Sequence, residues 1–106
     1  MVDMYTPAVY NHNMIKTFSD RETQKIFSQE YSRYFPREIQ GVALRKLILI
    51  NNASDLNDLR VPPGNRLEAL QGDREGQHSI RVNDKYRICF VFLDGDFYDV
   101  ELTDYH

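Results

Sequence analysis

The sequence predicts an α+β domain in which two N-terminal helices pack on a twisted antiparallel β-sheet. Apolar residues recur at helical spacing up to about residue 51. Short apolar runs separated by turn residues follow from residue 67 onward. Strands joined by short turns pair antiparallel, and helices followed by such a meander form an α+β domain. A chain of 106 residues has room for one domain of this kind.

An N-terminal arm precedes the domain. Residues 1–13, MVDMYTPAVYNHN, lack the basic start and long apolar run of a signal peptide. We interpret them as an arm that comes from an alternative start or from the cloning vector. The predicted domain is then residues 14–106, and it opens with an edge strand at Met14–Phe18.

Two helices are predicted after this strand. The stretch Ser19–Glu22 matches the capping box, with Ser19 as the N-cap. The first helix should run from there to about Tyr31 or Tyr34, with its apolar and aromatic residues on one face. Pro36 ends it and begins a second helix, which continues to Asn51. The apolar stripe of this second helix consists of Ile39, Val42, Ala43, Leu47 and Ile50.

A turn-rich connector, NNASDLNDLRVPPGN, leads from the helices to four predicted strands. These strands are Leu67–Leu70, Gln77–Val82, Tyr86–Leu93 and Phe97–Thr103. A three-residue loop, Asn83–Lys85, pairs Val82 with Tyr86 and Ile80 with Ile88. This register keeps the apolar side chains on one face, whereas a two-residue loop would mix the faces.

The same reasoning predicts a three-residue loop at the last turn, Asp94–Asp96. Its register pairs Phe92 with Tyr98, Phe90 with Val100 and Ile88 with Leu102. One face of the sheet is then wholly apolar and receives the helices.

The predicted register places Arg81 directly opposite Arg87 on the other face. Like charges opposite each other across a strand pair are destabilising, so such a pair indicates an anion that both arginines bind. A plainer interpretation remains open, in which each arginine is solvated or paired with an acid such as Glu68 or Asp104.

The last three residues, Asp104, Tyr105 and His106, should end beside these arginines, with Asp104 and His106 past the last strand pairing. Two guanidiniums bind a phosphate and stabilise charge that builds on it. A histidine transfers protons at neutral pH, and a tyrosine stacks on a base or shares in proton transfer. Together these groups suit metal-free RNA cleavage by the substrate's own 2′-hydroxyl. The open alternative is that His106 is a frayed terminal residue and Tyr105 a packing residue.

Composition narrows the classes of function. Lys and Arg number 13 and Asp and Glu 16, and a net charge of −3 argues against nonspecific coating of nucleic acid. The single cysteine, Cys89, lies in an apolar strand and is predicted to be a buried thiol in a reducing compartment. No apolar run reaches the ~18–20 residues of a membrane span. No cluster of residues has metal-ligand spacing.

One long stretch carries a family resemblance: LRVPPGNRLEALQGDREGQHSIRVNDKYRICFVF, followed by the closing DYH. With MIKTF and ALRKL upstream, it resembles the HigB toxins of bacterial type II toxin–antitoxin systems, within the RelE/ParE superfamily. The resemblance covers Met14 to His106. It implies a RelE-like fold and a ribosome-dependent endoribonuclease that cuts messenger RNA in the ribosomal A site. It further implies a HigA-like helix-turn-helix antitoxin, operator DNA bound only through the antitoxin complex, no cofactor, and a bacterial cytoplasmic location.

The resemblance also assigns roles to residues. The catalytic candidates are His106, Tyr105, Asp104, Arg87 and Glu68. The candidates for RNA or phosphate binding are Arg81, Arg87, Arg66, Gln71 and Arg74. Of these, Arg66 and Arg74 are chosen because they flank the first predicted strand and its turn, and the alternative that they are plain surface charges stays open. Some members of the family have a histidine where this chain has Glu68 and a lysine where it has Gln71. We therefore expect either weaker activity or a different division of roles, in which Glu68 is a candidate base.

Two other functions stay open at this point. The chain could be a gyrase-poisoning toxin like those of the ParE branch, which needs a protein-binding surface and no terminal acid–base pair. It could also be a non-catalytic protein-binding module, whose arginine face receives an acidic segment of the antitoxin.

Overall fold

The computed structural model describes residues 14–104, and these form the predicted α+β arrangement. Its elements are α1 (Arg21–Phe27), α2 (Arg37–Asn52), β1 (Glu68–Ala69), β2 (His78–Arg81), β3 (Tyr86–Leu93) and β4 (Asp96–Asp104). The strands make one antiparallel sheet in the order β1-β2-β3-β4. None of the described helices is long and apolar enough to cross a membrane. The predicted arm, residues 1–13, lies outside the described residues.

The segment Met14–Phe18 adds to the outer edge of β4. It makes isolated parallel bridges, Ile15 to Phe97 and Phe18 to Val100, and does not form a regular strand. The prediction of an edge position is therefore confirmed, although the pairing is intermittent. The segment covers the edge of β4 where the two residues that it pairs with enter the core.

The first helix begins one residue later than the capping box predicts. Asp20, not Ser19, is the N-cap: its carboxylate accepts from the Thr23 amide at 2.7 Å and from the Thr23 hydroxyl at 2.9 Å. The Ser19 hydroxyl instead donates to a carbonyl of β4. Glu22, the other predicted member of the box, accepts from the Ser32 hydroxyl at 2.7 Å. Asp20 rather than Ser19 caps the helix because a carboxylate is a stronger hydrogen-bond acceptor than a hydroxyl at the positive end of a helix.

This geometry gives a matched pair of variants. Asp20→Ala should lower the free energy of unfolding by about 1–2 kcal/mol, because both the amide and the buried hydroxyl of Thr23 lose their acceptor. Ser19→Ala removes only an exposed bond and should cost less than about 0.5 kcal/mol. Urea denaturation followed by circular dichroism measures both. A larger loss of unfolding free energy for the Ser19 variant than for the Asp20 variant would show that Ser19 is the N-cap.

The first helix also ends earlier than predicted. Gln29 has a left-handed φ of 64°, and the chain leaves the helix axis there. The Gln40 side chain then holds the connecting loop, accepting from the Ser32 amide at 3.1 Å and donating to the Ser32 carbonyl at 2.7 Å. Tyr31 and Tyr34, predicted on the apolar face of the helix, are instead exposed loop residues.

The second helix supplies most of the helical contribution to the core. Pro36 is its N-cap and not its first residue, so the predicted start is one residue early. The predicted stripe is buried at Ile39, Ala43, Leu47 and Ile50. This stripe packs on the apolar face of the sheet.

The pairing of β2 with β3 is the predicted one. The Val82 amide donates to the Tyr86 carbonyl at 2.9 Å, which closes the three-residue loop. Ile80 lies opposite Ile88, and both side chains are fully buried. Since side chains alternate along a strand, this register also fixes which residues occupy the open face.

The turn between β3 and β4 differs from the prediction. It has two residues, Asp94–Gly95, with positive φ values of 52° and 88°, so Phe92 pairs with Phe97. Asp-Gly dipeptides favour such turns because positive φ at both positions matches the twist of the strands. The predicted three-residue loop and the pairing of Phe92 with Tyr98 are therefore wrong.

A β-bulge restores the predicted register further along the hairpin. Asp99 has a φ of 53° and adds one residue to β4, after which Ile88 pairs with Leu102 as predicted. The bulge lets Phe97 and Val100, three residues apart, both enter the core. Strict alternation would have sent one of them to the open face.

Candidate active site

The open face of the sheet carries two rows of polar residues, which we call the arginine face. The first row, across β2, β3 and β4, is Arg81, Arg87 and Thr103. The second row, from β1 to β4, is Glu68, Ser79, Cys89 and Glu101. The predicted opposition of the two arginines is confirmed by the register.

Arg87 is held rigidly in this face, and its side chain is only 11% exposed. Its Nε donates to the Ser79 hydroxyl at 2.7 Å, and its Nη2 donates to the carbonyl of Arg66 at 2.6 Å. The Glu68 carboxylate lies 3.5 Å from the same Nη2. The guanidinium is therefore preorganised by three different strands or turns.

Arg81 is the more accessible arginine, with 33% of its side chain exposed. It forms an ion pair with Asp84 in the β2–β3 turn, and the Asp84 side chain is 99% exposed. Such exposed pairs contribute little to stability, so breaking this one costs little. Both arginines thus have an acidic partner in this structure, as the plainer interpretation of the pair expects, but neither partner is Asp104.

Glu68 meets the arginine face at its edge. It lies on the two-residue strand β1, opposite Ser79, and its side chain is 51% exposed. A carboxylate there has access to solvent and to a substrate bound at Arg87. Gln71 is exposed at the start of the short 3-10 turn Gly72–Arg74, next along the chain.

Arg74 and Arg66 hold neighbouring parts of the same face. Arg74 Nη1 donates to Glu101 at 3.1 Å and to Gln77 at 3.0 Å, which ties the turn after β1 to β4. Arg66 has a left-handed φ of 47° and an exposed side chain, and its carbonyl accepts from Arg87. Cys89 is fully buried among these charges, and burial raises the pKa of its thiol. The predicted buried thiol is confirmed.

The described part of the chain ends at Asp104, which is paired with Tyr86. Asp104 therefore lies within the sheet, and the prediction that it falls past the last pairing is wrong. Its parity assigns it to the helix-packed face, where it lies 3.7 Å from Lys85 Nζ and lines a cleft of about 580 Å³ beside Tyr34. The structure does not bring it together with the arginines.

Tyr105 and His106 lie outside the described residues. The nearest described residue of matching parity is Thr103, which lies opposite Arg87. The predicted position of these two residues beside the arginines and their predicted roles stay predictions.

Lys46 on α2 is a cation near this face that the sequence reasoning missed. Its Nζ donates to the Oδ1 of Asn65, which is fully buried. Burial, followed by the charges of Arg45 and Arg81, lowers the pKa of the Lys46 ammonium. Ser79, which positions Arg87, was missed as well. Neither has a local sequence signal, since both act through contacts between distant segments.

Among residues 14–104, no group of three or more His, Cys, Asp or Glu side chains is arranged to hold a metal ion. What the arginine face offers is fixed cations, a partly exposed carboxylate and a buried serine. These are groups that bind an anion and move protons.

Comparison with known proteins identifies the family. Residues 16–106 match the family model described as a RelE-like toxin of type II toxin-antitoxin system HigB. The chain belongs to this family. Toxin HigB-1 of Vibrio cholerae is 39% identical over 83 residues, which cover 77% of this chain and 87% of that toxin. Endoribonuclease HigB of Proteus vulgaris is 32% identical over 93 residues, which cover 88% of this chain and all of that protein.

The fold of this HigB-like toxin also matches a solved structure. The crystal structure of YafQ from E. coli superposes with a TM-score of 0.51 at 14% identity, over 86% of this chain and 93% of YafQ. At that identity the likeness concerns the fold alone. The predicted family and fold are confirmed. As a type II toxin, the protein has an antitoxin as its partner.

Proposed function

We propose that this HigB-like toxin is a ribosome-dependent endoribonuclease that cuts messenger RNA in the ribosomal A site, without a metal ion or cofactor. One observation carries the proposal: Arg81 and Arg87 lie opposite each other on the open face, with Thr103 of β4 next to Arg87. The name of the Proteus vulgaris relative, Endoribonuclease HigB, supports it.

The proposed reaction is a transesterification at phosphorus within the RNA strand. The substrate's 2′-oxygen attacks the adjacent phosphorus, a base takes the 2′-hydroxyl proton, and the bond from phosphorus to the 5′-oxygen breaks as an acid protonates that oxygen. The products are a 2′,3′-cyclic phosphate and a 5′-hydroxyl. His106 and Glu68 are the proposed proton-transfer groups, because an imidazole gives and takes protons at neutral pH and a carboxylate can accept a proton as a general base.

The two arginines divide the electrostatic work. Arg87 is immobilised by Ser79 and by the Arg66 carbonyl, so it presents a fixed positive charge to the phosphorus as negative charge develops. Arg81 is more exposed and exchanges Asp84 for a phosphate oxygen.

The remaining candidates serve the substrate around the phosphate. Tyr105 stacks on an unstacked base of the messenger, and Asp104 orients the chain terminus. Arg66, Gln71 and Arg74 border the path of the RNA backbone. Because Gln71 supplies no charge, we expect lower activity than in a toxin with a lysine there.

Partners follow from the same proposal. The antitoxin is a HigA-like protein with a helix-turn-helix domain, and operator DNA is bound only through its complex with the toxin. The ribosome holds the messenger, which fits a toxin with a net charge of −3. All of these partners are in the bacterial cytoplasm.

Primer extension on cellular messengers after induction of the toxin tests this function. We expect new 5′ ends within translated codons and none on a matched messenger whose start codon has been removed. Intact messengers with damaged DNA would indicate the gyrase-poisoning alternative. Slowed growth with neither lesion would indicate a non-catalytic binding module.

A further inference from the structure

We infer that Lys46 of α2 is an additional phosphate-binding residue of the arginine face, where its ammonium contacts the RNA backbone beside Arg81. The inference rests on the proposed function, since it extends the same site by one cation from a different element of the fold. Asn65 is the residue that holds Lys46 in place.

Asn65 fixes the ammonium of Lys46. The Asn65 side chain is fully buried, and its Nδ2 donates to the carbonyls of Leu59 at 3.1 Å and Val61 at 3.3 Å. Its Oδ1 therefore has one orientation, and this oxygen accepts from Lys46 Nζ. A buried amide that is fully used in this way is a positioning device, because breaking any of its bonds leaves a polar atom unpaired.

The same turn holds Arg87. The residue after Asn65 is Arg66, whose carbonyl accepts from Arg87 Nη2 at 2.6 Å. Two consecutive residues thus position an ammonium from α2 and a guanidinium from β3. Arg81 lies opposite Arg87, and its charge contributes to the lowered pKa of Lys46, so cations from α2, β2 and β3 lie near one another.

Lys46 differs from the two arginines in its partner. Arg81 and Arg87 each have a carboxylate nearby, whereas Lys46 bonds to a neutral amide and forms no ion pair within residues 14–104. Burial, followed by the nearby charges of Arg45 and Arg81, disfavours the charged form of Lys46 and lowers its pKa. A phosphate placed between these cations would relieve that repulsion and favour the charged form of Lys46.

The ligand chemistry follows from this arrangement. An ammonium contacts a phosphate oxygen as a point charge, without the fork geometry of a guanidinium. Lys46 is therefore suited to a backbone phosphate next to the one that is cut, and it reads no base. Loss of the charge should weaken RNA binding on all sequences alike.

The test compares Lys46→Gln with Arg45→Gln in the full-length toxin. Glutamine removes the charge and keeps a polar N–H donor on an unbranched side chain, and Arg45 is the exposed neighbour with the same charge change. In single-turnover cleavage of ribosome-bound messenger, we expect the Lys46 variant to lose about tenfold and the Arg45 variant less than about threefold. Melting temperatures measured in parallel should be equal for the two variants.

A second measurement separates this inference from the proposed function. Fluorescence anisotropy with a single-stranded RNA oligonucleotide gives affinity at several salt concentrations, with or without cleavage. Lys46→Gln should bind the RNA more weakly than the wild type. The slope of log affinity against log salt concentration should also be shallower, by about the amount that one phosphate contact contributes. If the wild type does not cut messenger but this difference holds, the proposed function fails and the phosphate contact stands. If Lys46→Gln cleaves and binds like the wild type, or loses activity only as it loses fold, the inference is overturned.

Discussion

Deletion of Tyr105 and His106 should abolish growth inhibition and leave the domain folded. The deletion removes the proposed proton-transfer and base-stacking groups, and general acid–base catalysis contributes about 10²–10⁴-fold to a rate. The fold should survive because the described core lies within residues 14–104, and β4 completes its pairing at Asp104. Growth of induced cultures and thermal denaturation of the purified protein measure the two effects.

Single variants refine this expectation. His106→Gln should reproduce most of the loss of cleavage, and Tyr105→Phe should lose less, because a phenyl ring still stacks on a base. Full toxicity of the truncated protein would show that neither terminal residue has the assigned role.

Arg87→Ala and Arg81→Ala should both lose cleavage but should differ in their effect on stability. Both variants should lose cleavage by about 10²–10³-fold, the range for removing one preorganised donor. Only Arg87→Ala should also lower the free energy of unfolding, by about 1–3 kcal/mol, because the buried Ser79 hydroxyl and the Arg66 carbonyl lose their donor. Within residues 14–104, the ion pair of Arg81 is with a fully exposed carboxylate, so its replacement should leave stability nearly unchanged.

Cleavage of ribosome-bound messenger and urea denaturation measure these effects. Binding to the purified antitoxin is the control for the surface of the protein. Variants that bind the antitoxin but no longer slow growth would exclude the non-catalytic module. Wild-type cleavage by a stable Arg87→Ala protein would remove this residue from the mechanism.

The arginine pairing was predictable because one hydrophobic argument fixed it. Placing Ile80 and Ile88 together on the buried face leaves a single register for β2 and β3, and that register puts Arg81 opposite Arg87. The burial of both isoleucines shows why the argument succeeds: a slip of one residue would move polar groups into the core.

The last hairpin shows where alternation alone fails. The Asp94–Gly95 dipeptide favours a two-residue turn, which an unbroken alternation of side chains does not predict. The bulge at Asp99 reconciles the two, because it shifts the strand by one residue between Phe97 and Val100. An apolar pair three residues apart after such a turn is the sequence signal for this bulge.

The other misses depend on contacts between distant segments. The early end of α1 comes from Gln40 bonding to the Ser32 backbone, and the position of Lys46 comes from the buried amide of Asn65. Neither partner is near in sequence or marked by periodicity. Local patterns predict elements and registers, whereas buried polar contacts of this kind emerge only when the elements are packed.

The chemical ends of the cut RNA test the central claim most directly. Purified toxin is mixed with ribosomes that carry a defined messenger, and both new termini are identified by mass spectrometry. Attack by the 2′-hydroxyl at a phosphate held by the arginine face predicts a 2′,3′-cyclic phosphate, or the 3′-phosphate from its hydrolysis, together with a 5′-hydroxyl. A 5′-phosphate beside a free 3′-hydroxyl, or an uncut messenger, would contradict it.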